Sequence, residues 1–482
     1  MMSTVTDMHA LKRSSPFALP IKILQFGQGN FMRGFFDWQV DLLNERTGLD
    51  AGVVIVRPRG GGKAALLDEQ DGLFTVLVRG LDQAGHAVKD YRTVECVQRE
   101  LDPNTMYADY LALAVAPDLR FVVSNTTEAG IATNDTDRFE DAPPSSFPAK
   151  LTRFLFQRYR AFEGARDKGL VLLPCELIDQ NGPALKGAVL HFASLWRLDA
   201  GFARWIDEAN TFCSTLVDRI VTGYPAGDEA EIRADLGYLD PFLVAAEYYH
   251  LFVIQGPAWV GDELKLAGSG LNVELVDDIT PYKKRKVGIL NGGHTTLVPV
   301  ALLAGLEAVR ESVEDVQVGG FLRSAIDDEI IPALDMDRGE LEAFAADVLR
   351  RFRNPAIHHK LASIALNSWS KFAARVLPQL LRYTERHGGE LPRRLVLALA
   401  ATMALYRGDV IPLADDPATL AWFRQGWARV DAGAWTLAEL VSGWLGHTAL
   451  WGRDLNAVAG LADAVGADLE RIRTQGMRAA LG

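Results

Sequence analysis

Ile21-Lys22-Ile23-Leu24-Gln25-Phe26-Gly27-Gln28-Gly29-Asn30-Phe31-Met32-Arg33-Gly34 decides the architecture of the first half of the chain. Its first six residues alternate and are rich in β-formers, as a first strand should be. Glycines follow at once, and Phe35 to Asn44 then has the spacing of an amphipathic helix, with Phe36, Val40 and Leu43 on one side. Strand, glycine turn and helix put backbone N–H groups and a helix N-terminus where a pyrophosphate can be held. In that reading Gly27 makes the tight turn and Gly29 lets the phosphates approach the backbone. The usual dinucleotide fingerprint would place its third glycine at Met32, whereas Gly34 comes later, so the match is partial and a plain strand–helix turn would use the same residues.

Working outward, Val53-Val54-Ile55-Val56 is a second apolar run, placed where the ribose-reading residue belongs at its end. No acid stands there. Arg57 or Arg59 would either meet a 2′-phosphate, which favours NADP, or remain solvated loop charges. Gly60-Gly61-Gly62-Lys63-Ala64 lacks the first glycine and the Ser/Thr of a phosphate-binding Walker loop. Further strands are expected at Phe74 to Val78, Phe121 to Val123 and Leu170 to Leu173, with helices at Tyr107 to Val115, Ala149 to Ala161 and Leu185 to Leu195. Such alternation predicts a mainly parallel, doubly wound α/β sheet, whose ligands sit beyond the carboxyl ends of the strands. Two polar clusters fall at such ends: Ser124-Asn125-Thr126-Thr127-Glu128 and Cys175 to Gly182. Both have the composition of ordinary turns, and the first is the better candidate for contacts near a nicotinamide.

After the strand-like Leu271 to Val276 the pattern turns helical, so we expect a dinucleotide-binding domain over 1–277 and a mostly α-helical domain over 278–482. Helices are predicted at Phe321 to Ile331, Leu341 to Phe352, Leu361 to Tyr383 and Pro392 to Tyr406, with Pro392 at a first helical position. At the start of this half stands Lys283-Lys284-Arg285-Lys286-Val287-Gly288-Ile289-Leu290-Asn291-Gly292-Gly293-His294. On a regular helix, at roughly 100° per residue, Asn291 falls about 140° and His294 about 80° from Lys286. An amine, an amide and an imidazole then share one side, the groups needed to move a proton at an oxygen while polarising it. A solvated basic run, a capping Asn and a packed His would give the same spacing. Pro299 is expected to kink or end this helix.

The totals narrow the partners. A chain of 482 residues exceeds one core, and 49% hydrophobic with 23% charged residues is ordinary for a water-soluble protein. No apolar run reaches the roughly 18–20 residues of a membrane span, and the start lacks the apolar core of a signal peptide, so a cytoplasmic protein is expected. Cys96, Cys175 and Cys213, odd in number and far apart, suit reduced thiols better than disulfides or a zinc site. A formal net charge of −12 argues against nucleic acid. Oligomeric state is left open.

The chain resembles the mannitol dehydrogenase family, the long-chain polyol-specific dehydrogenases, over essentially its whole length. The residues that carry the resemblance are Gly27-x-Gly29-x-Phe31-x-Arg33-Gly34, Thr126 to Glu128, Cys175-Glu176 with Asn181-Gly182, and Lys286-x4-Asn291-x2-His294. The resemblance implies a Rossmann-like domain followed by a helical one, NAD as cofactor with NADP the alternative, and hydride transfer without a metal. Cofactor contacts are expected from Gly27, Gly29, Asn30, Phe31, Arg33, Arg57, Asn125 and Thr126. Lys286 matches the family's general acid/base, Asn291 an oxyanion-stabilising amide and His294 a substrate-positioning imidazole. Lys371 matches a substrate-contacting lysine, and Arg375, His358, Lys360 and Asn181 are further substrate candidates. Two departures stand out: polyol-specific members carry an Asn where this chain has Leu177 and an Arg where it has Ser363. A small sugar acid, whose carboxylate needs a cationic partner, fits that rebuilding.

Overall fold

The computed structural model describes residues 9–14, 18–58, 67–126, 128–225 and 227–482. Its chain divides into two compact units, Met1–Asp82 with Ala87–Ile279, and Gln83–His86 with Thr280–Gly482. Strands β1 (Ile21–Phe26), β2 (Gly52–Val56), β3 (Phe74–Leu81), β4 (Ala87–Val94), β5 (Val97–Leu101), β6 (Phe121–Ser124), β7 (Val171–Pro174), β8 (Thr211–Phe212), β9 (Ser214–Asp218), β10 (Val221–Gly223), β11 (Val244–Glu247), β12 (Leu251–Gln255) and β13 (Val273–Val276) lie in the first unit.

Six of these form one parallel sheet in the order β5-β2-β1-β6-β7-β8. Counted by chain position within the sheet this is 3-2-1-4-5-6, the doubly wound dinucleotide order, with its switch point between β1 and β6. The strands read as near-continuous apolar runs because both faces are covered. Ile23, Val53, Ile55, Val123 and Leu173 pack on one side, and Leu24, Val54, Val56, Val122 and Leu172 on the other. The segment Phe74 to Val78, expected among these strands, instead belongs to a second sheet of order β10-β11-β3-β4. There β3 and β4 form a long antiparallel hairpin that occupies the place of a crossover helix between β2 and β5. A third sheet, β13-β12-β9, closes the unit.

The second unit is helical. At its centre the Gly292–Leu303 helix is buried from Gly292 to Leu302, packed against the helices Leu361–Ile364, Ser368–Arg375 and Arg393–Leu405. Pro299 lies inside this helix and does not end it. The single helix expected over Leu361 to Tyr383 is three: it breaks before Ser368, where Asn367 takes a left-handed φ of 54°, and again at Val376. Pro392 stands just before, not within, the helix it opens.

Candidate active site

The glycine turn at the switch point is tightly specified by its neighbours. Gly27 donates its N–H to the Val56 carbonyl at 3.0 Å and has a φ of +116°. A side chain on it would begin 2.7 Å from the Asn125 carbonyl oxygen, so β1 and β6 can diverge at this point only around a glycine. Asn125 continues the pairing, its N–H donating to the Phe26 carbonyl at 2.9 Å and its Nδ2 to the Cys175 carbonyl at 2.8 Å. Gly29 is different. It is exposed, its φ is −60°, and among the described residues nothing lies within 4 Å of where a Cβ would be. Neither the backbone nor a neighbour requires a glycine there. What it leaves is open space at the first N–H groups of a helical run from Asn30 to Thr47. Arg33 braces the turn, Nη1 donating to the Gln28 carbonyl at 3.1 Å and Nη2 to Asn30 Oδ1 at 2.8 Å, and burial holds its guanidinium below the usual arginine range. Phe31 stacks on Phe35 at 4.9 Å. An open glycine, a helix start and a fixed cation fit the pyrophosphate of a dinucleotide.

Beneath this turn Gln25 Nε2 donates to the Gly27 carbonyl at 3.0 Å and to Asp37 Oδ2 at 3.2 Å. Asp37 is fully buried, and desolvation pushes its carboxyl up to about 7.

Glu176, at the end of β7, organises the neighbouring strand ends. Its Oε1 accepts from the Thr126 N–H at 3.0 Å and hydroxyl at 2.9 Å, and its Oε2 from the Ser124 hydroxyl at 3.0 Å. Burial raises its pKa, against the pull of those donors. Three sequence expectations change here. Thr126, read as a cofactor contact, spends its donors on Glu176. Asn181, read as a substrate contact, is buried with Nδ2 donating to the carbonyls of Pro174, Glu176 and Thr215 and Oδ1 accepting from the Thr215 N–H, so it ties β7 to β9. Arg57 is turned inward: its Nε donates to Glu100 Oε1 at 2.8 Å in a buried ion pair, and Glu100 Oε2 also accepts from the Leu67 N–H. Arg59 and the glycine run after it lie outside the described residues.

In the second unit the Lys286 stretch is not a regular helix. The α-helix Thr280–Arg285 passes into a π-helical turn, Lys286–Asn291, before the Gly292–Leu303 helix begins. A π-turn closes its hydrogen bonds over five residues, so Asn291 lies over Lys286 and not the 140° away that a regular helix would give. His294, one α-turn further, keeps the same side. Lys286 and Asn291 are half-buried. The Asn291 carboxamide makes no hydrogen bond among the described residues, while its backbone carbonyl accepts from the Thr295 hydroxyl at 2.8 Å. His294 is only 9% exposed, and among the described residues its Nε2 has no hydrogen-bond partner. Its ring stacks on Phe352 at 4.1 Å and meets His359 edge-on at 5.2 Å. Burial, then the charges of His359, Arg351, Arg375 and Lys371, hold the His294 ring well below the ordinary histidine range, so it is neutral at pH 7.

Lys371 and Arg375 share one face of the Ser368–Arg375 helix at i and i+4. Gly292 admits that helix: a Cβ on it would lie 3.2 Å from the Arg375 carbonyl oxygen. Lys371 Nζ donates to the Ile364 carbonyl at 2.9 Å. The half-buried Arg375 guanidinium has no hydrogen bond or ion pair among the described residues, and burial lowers its pKa. His358 and Lys360 are exposed. Among the described residues no group of three His, Cys, Asp or Glu side chains is arranged to hold a metal ion, and no helix is long and apolar enough to cross a membrane.

Residues 21–268 match the family model of the mannitol dehydrogenase Rossmann domain, and residues 278–473 that of the mannitol dehydrogenase C-terminal domain. The chain belongs to the mannitol dehydrogenase family. It is an oxidoreductase acting on CH–OH groups of polyols or sugar acids. Within the family it is 54% identical over 466 residues to the altronate oxidoreductase of Yersinia enterocolitica, covering 96% of both chains. It is 53% identical over 471 residues to that of Pectobacterium atrosepticum, again covering 96% of each. The mannitol 2-dehydrogenase of Pseudomonas fluorescens, solved as a ternary complex with NAD and D-mannitol, shares the fold with a TM-score of 0.71 at 22% identity, over 96% of this chain and 94% of that one. A D-sorbitol dehydrogenase in substrate-free form superposes with a TM-score of 0.76 at 24% identity, over 96% of both chains.

The sequence reading of this family member missed His359 and Arg351. His358 and His359 are adjacent, and only the backbone between Asn354 and Leu361 decides which imidazole meets His294. The His359 carbonyl accepts from the Val309 N–H at 3.0 Å, and that long-range contact leaves no local pattern. Arg351 lies on the helix Arg338–Phe352 expected from the sequence, but its burial follows from packing alone.

Proposed function

We propose that this enzyme interconverts D-tagaturonate and D-altronate with NAD as the hydride carrier, as a step of hexuronate breakdown in the cytoplasm. The observation that carries the reading is Arg375, a partly desolvated guanidinium with no acid to pair with among the described residues, set with Lys371 so that both charges act on the neutral His294. A protein leaves such a cation unpaired where a ligand brings the anion. The names of the similar altronate oxidoreductases point to the same substrate class.

When bound, the nicotinamide supplies or accepts the hydride. Gly27 and Gly29 with Asn30 and Arg33 would hold its pyrophosphate. Reduction leaves negative charge on the C3 oxygen of the sugar acid. Asn291, with its amide uncommitted, donates a hydrogen bond to that oxygen, a contact worth about 2–4 kcal/mol in a dry site. Lys286, stacked over the same turn, gives the oxygen its proton and takes it back in the other direction. His294 accepts from a neighbouring hydroxyl through its unfilled Nε2. Lys371 and Arg375 take the carboxylate. Proton and charge are thus both handled by side chains, and the scheme uses no metal. The commitment of Arg57 to Glu100 removes one cation that a 2′-phosphate would need, which favours NAD over NADP.

The test is a panel of D-tagaturonate, D-fructuronate and D-fructose, each with NADH and with NADPH. Tagaturonate with NADH should give the highest kcat/KM; fructose in that place would overturn the reading. Lys286→Ala should lower kcat by about 1,000-fold or more while NADH binding, followed by fluorescence, stays within about threefold. Near-normal turnover would remove Lys286 from the chemistry.

A further inference from the structure

We propose that Arg219 is a positioning residue for the dinucleotide: its guanidinium holds an irregular turn in the helix behind Gly29, and that turn aims Asn30 and Arg33 at the pyrophosphate. This rests on the reading of the glycine turn as the pyrophosphate site and adds a residue to it.

The helical run from Asn30 to Thr47 is not regular, because Arg33–Asp37 form a π-turn. In an α-helix the Trp38 N–H would donate to the Gly34 carbonyl, four residues back. Here it goes to the Phe35 carbonyl. A donor from outside the helix, Arg219 Nη1, meets the Gly34 carbonyl instead, at 2.7 Å. A π-turn holds one residue more than the α-turn it replaces. Were it to relax, the residues before it would rotate by about 100° around the helix axis. Asn30 and Arg33 would then swing off a glycine turn that hydrogen bonding to Val56 and close contact with Asn125 hold in place. The bonds from Arg33 to the Gln28 carbonyl and to Asn30 Oδ1 belong to the π-turn geometry that Arg219 supports.

The segment that carries Arg219 lies along the same helix start. Its backbone is fixed by Ile220, whose N–H donates to Glu247 Oε1 at 2.7 Å and whose carbonyl accepts from the Glu247 N–H at 2.9 Å. A Cβ on Gly34 would begin 2.8 Å from Val221 Cγ1, so the glycine that comes late for the usual fingerprint serves close packing on β10. A Cβ on Gly223 would begin 2.5 Å from Asn30 Nδ2. Residues 219–223 thus meet the run at Asn30 and at Gly34, on either side of Arg33 in the chain. Arg219 itself is 6% exposed, lies over the Trp38 ring at 4.0 Å and donates Nε to the Glu247 carbonyl at 2.9 Å. An apolar side chain would satisfy packing alone. Burying a cation costs free energy unless its donors are used, and here two of them hold main-chain carbonyls.

The experiment uses the full-length enzyme with Arg219→Met and Arg219→Lys, after melting curves establish which are folded. Binding of NADH and of ADP-ribose, which keeps the pyrophosphate and lacks the nicotinamide, is measured by fluorescence and calorimetry. Arg219→Met should raise both Kd values by about 10- to 30-fold and by the same factor, because the pyrophosphate is common to both ligands. The KM for NADH should rise with them, while kcat and the KM for tagaturonate at saturating NADH stay within about threefold. Arg219→Lys has one amine to share between the Gly34 and Glu247 carbonyls and should lose about three- to tenfold, a partial rescue. If Arg219→Met does not fold, the lysine variant decides by the same measurements. Unchanged Kd values in a folded variant, or a fall in kcat at unchanged Kd, would mean that Arg219 only fills the core and would overturn the proposal. A wild-type enzyme that binds neither NADH nor ADP-ribose would instead defeat the pyrophosphate reading on which it rests.

Discussion

Around Glu176 the neighbouring donors find an acceptor, whereas around His294 several hydrogen-bonding atoms find no partner among the described residues. In the first unit a buried carboxylate collects the Thr126 N–H, the Thr126 hydroxyl and the Ser124 hydroxyl, and Asn181 alongside it fills its amide with backbone partners. In the second, Asn291, Arg375 and His359 hold hydrogen-bonding atoms that no described residue satisfies, and His294 buries a bare Nε2. The two arrangements use similar residue types. Satisfied polarity fixes the ends of strands; unsatisfied polarity marks where something else must bind.

Removing the acceptor at the first place should have the larger consequence for folding. Glu176→Ala leaves three buried donors unpaired and should cost roughly 3–5 kcal/mol, seen as a large fall in melting temperature. Glu176→Gln keeps an acceptor for Thr126 and should cost far less, which separates lost hydrogen bonds from lost charge. At the second place the outcome inverts. Arg375→Met should raise KM for the sugar acid about 100-fold, near 2.7 kcal/mol, with the melting temperature unchanged or higher, since a partly desolvated, unpaired cation is lost. A clear drop in stability would show that Arg375 has a structural partner after all.

Asp37 breaks the first unit's rule on a smaller scale: its Oδ1 is buried without a hydrogen-bond partner among the described residues. Its folded pKa is raised from 3.8 to about 7. Between those values the folded chain binds the proton that the unfolded chain releases, so Asp37 detracts from stability as pH rises through that window and does so fully above it. Asp37→Asn should therefore melt a few degrees above wild type at pH 8 and close to it at pH 4. A gap that does not widen with pH would place the proton elsewhere.

Much of this was legible in the sequence wherever the determinant is local. β1, β2, β6 and β7 announce themselves because strands covered on both faces must be apolar throughout, and the turn at Gly27 needs a glycine that the sequence displays. The Lys286–Asn291–His294 grouping was legible in membership but not in geometry, since a regular helix is the only period that spacing can report and the π-turn changes it. Arg57 and Asn181 were over-read because their partners, Glu100 and Thr215, are distant in the chain. The Phe74 strand looked like its neighbours, and only pairing with β4 and β11 assigns it to another sheet. His359 could not be told from His358 without the backbone that turns one inward.

Gly29 offers a practical return. Because its φ is ordinary and no atom of a described residue occupies the volume beside it, an alanine there should fold, melt and purify like the parent protein. Only when a dinucleotide tries to seat would the added methyl collide. Such a variant would be a silent decoy, unaltered on its own and defective solely in company, and so a reference for separating what this protein is from what it does when loaded.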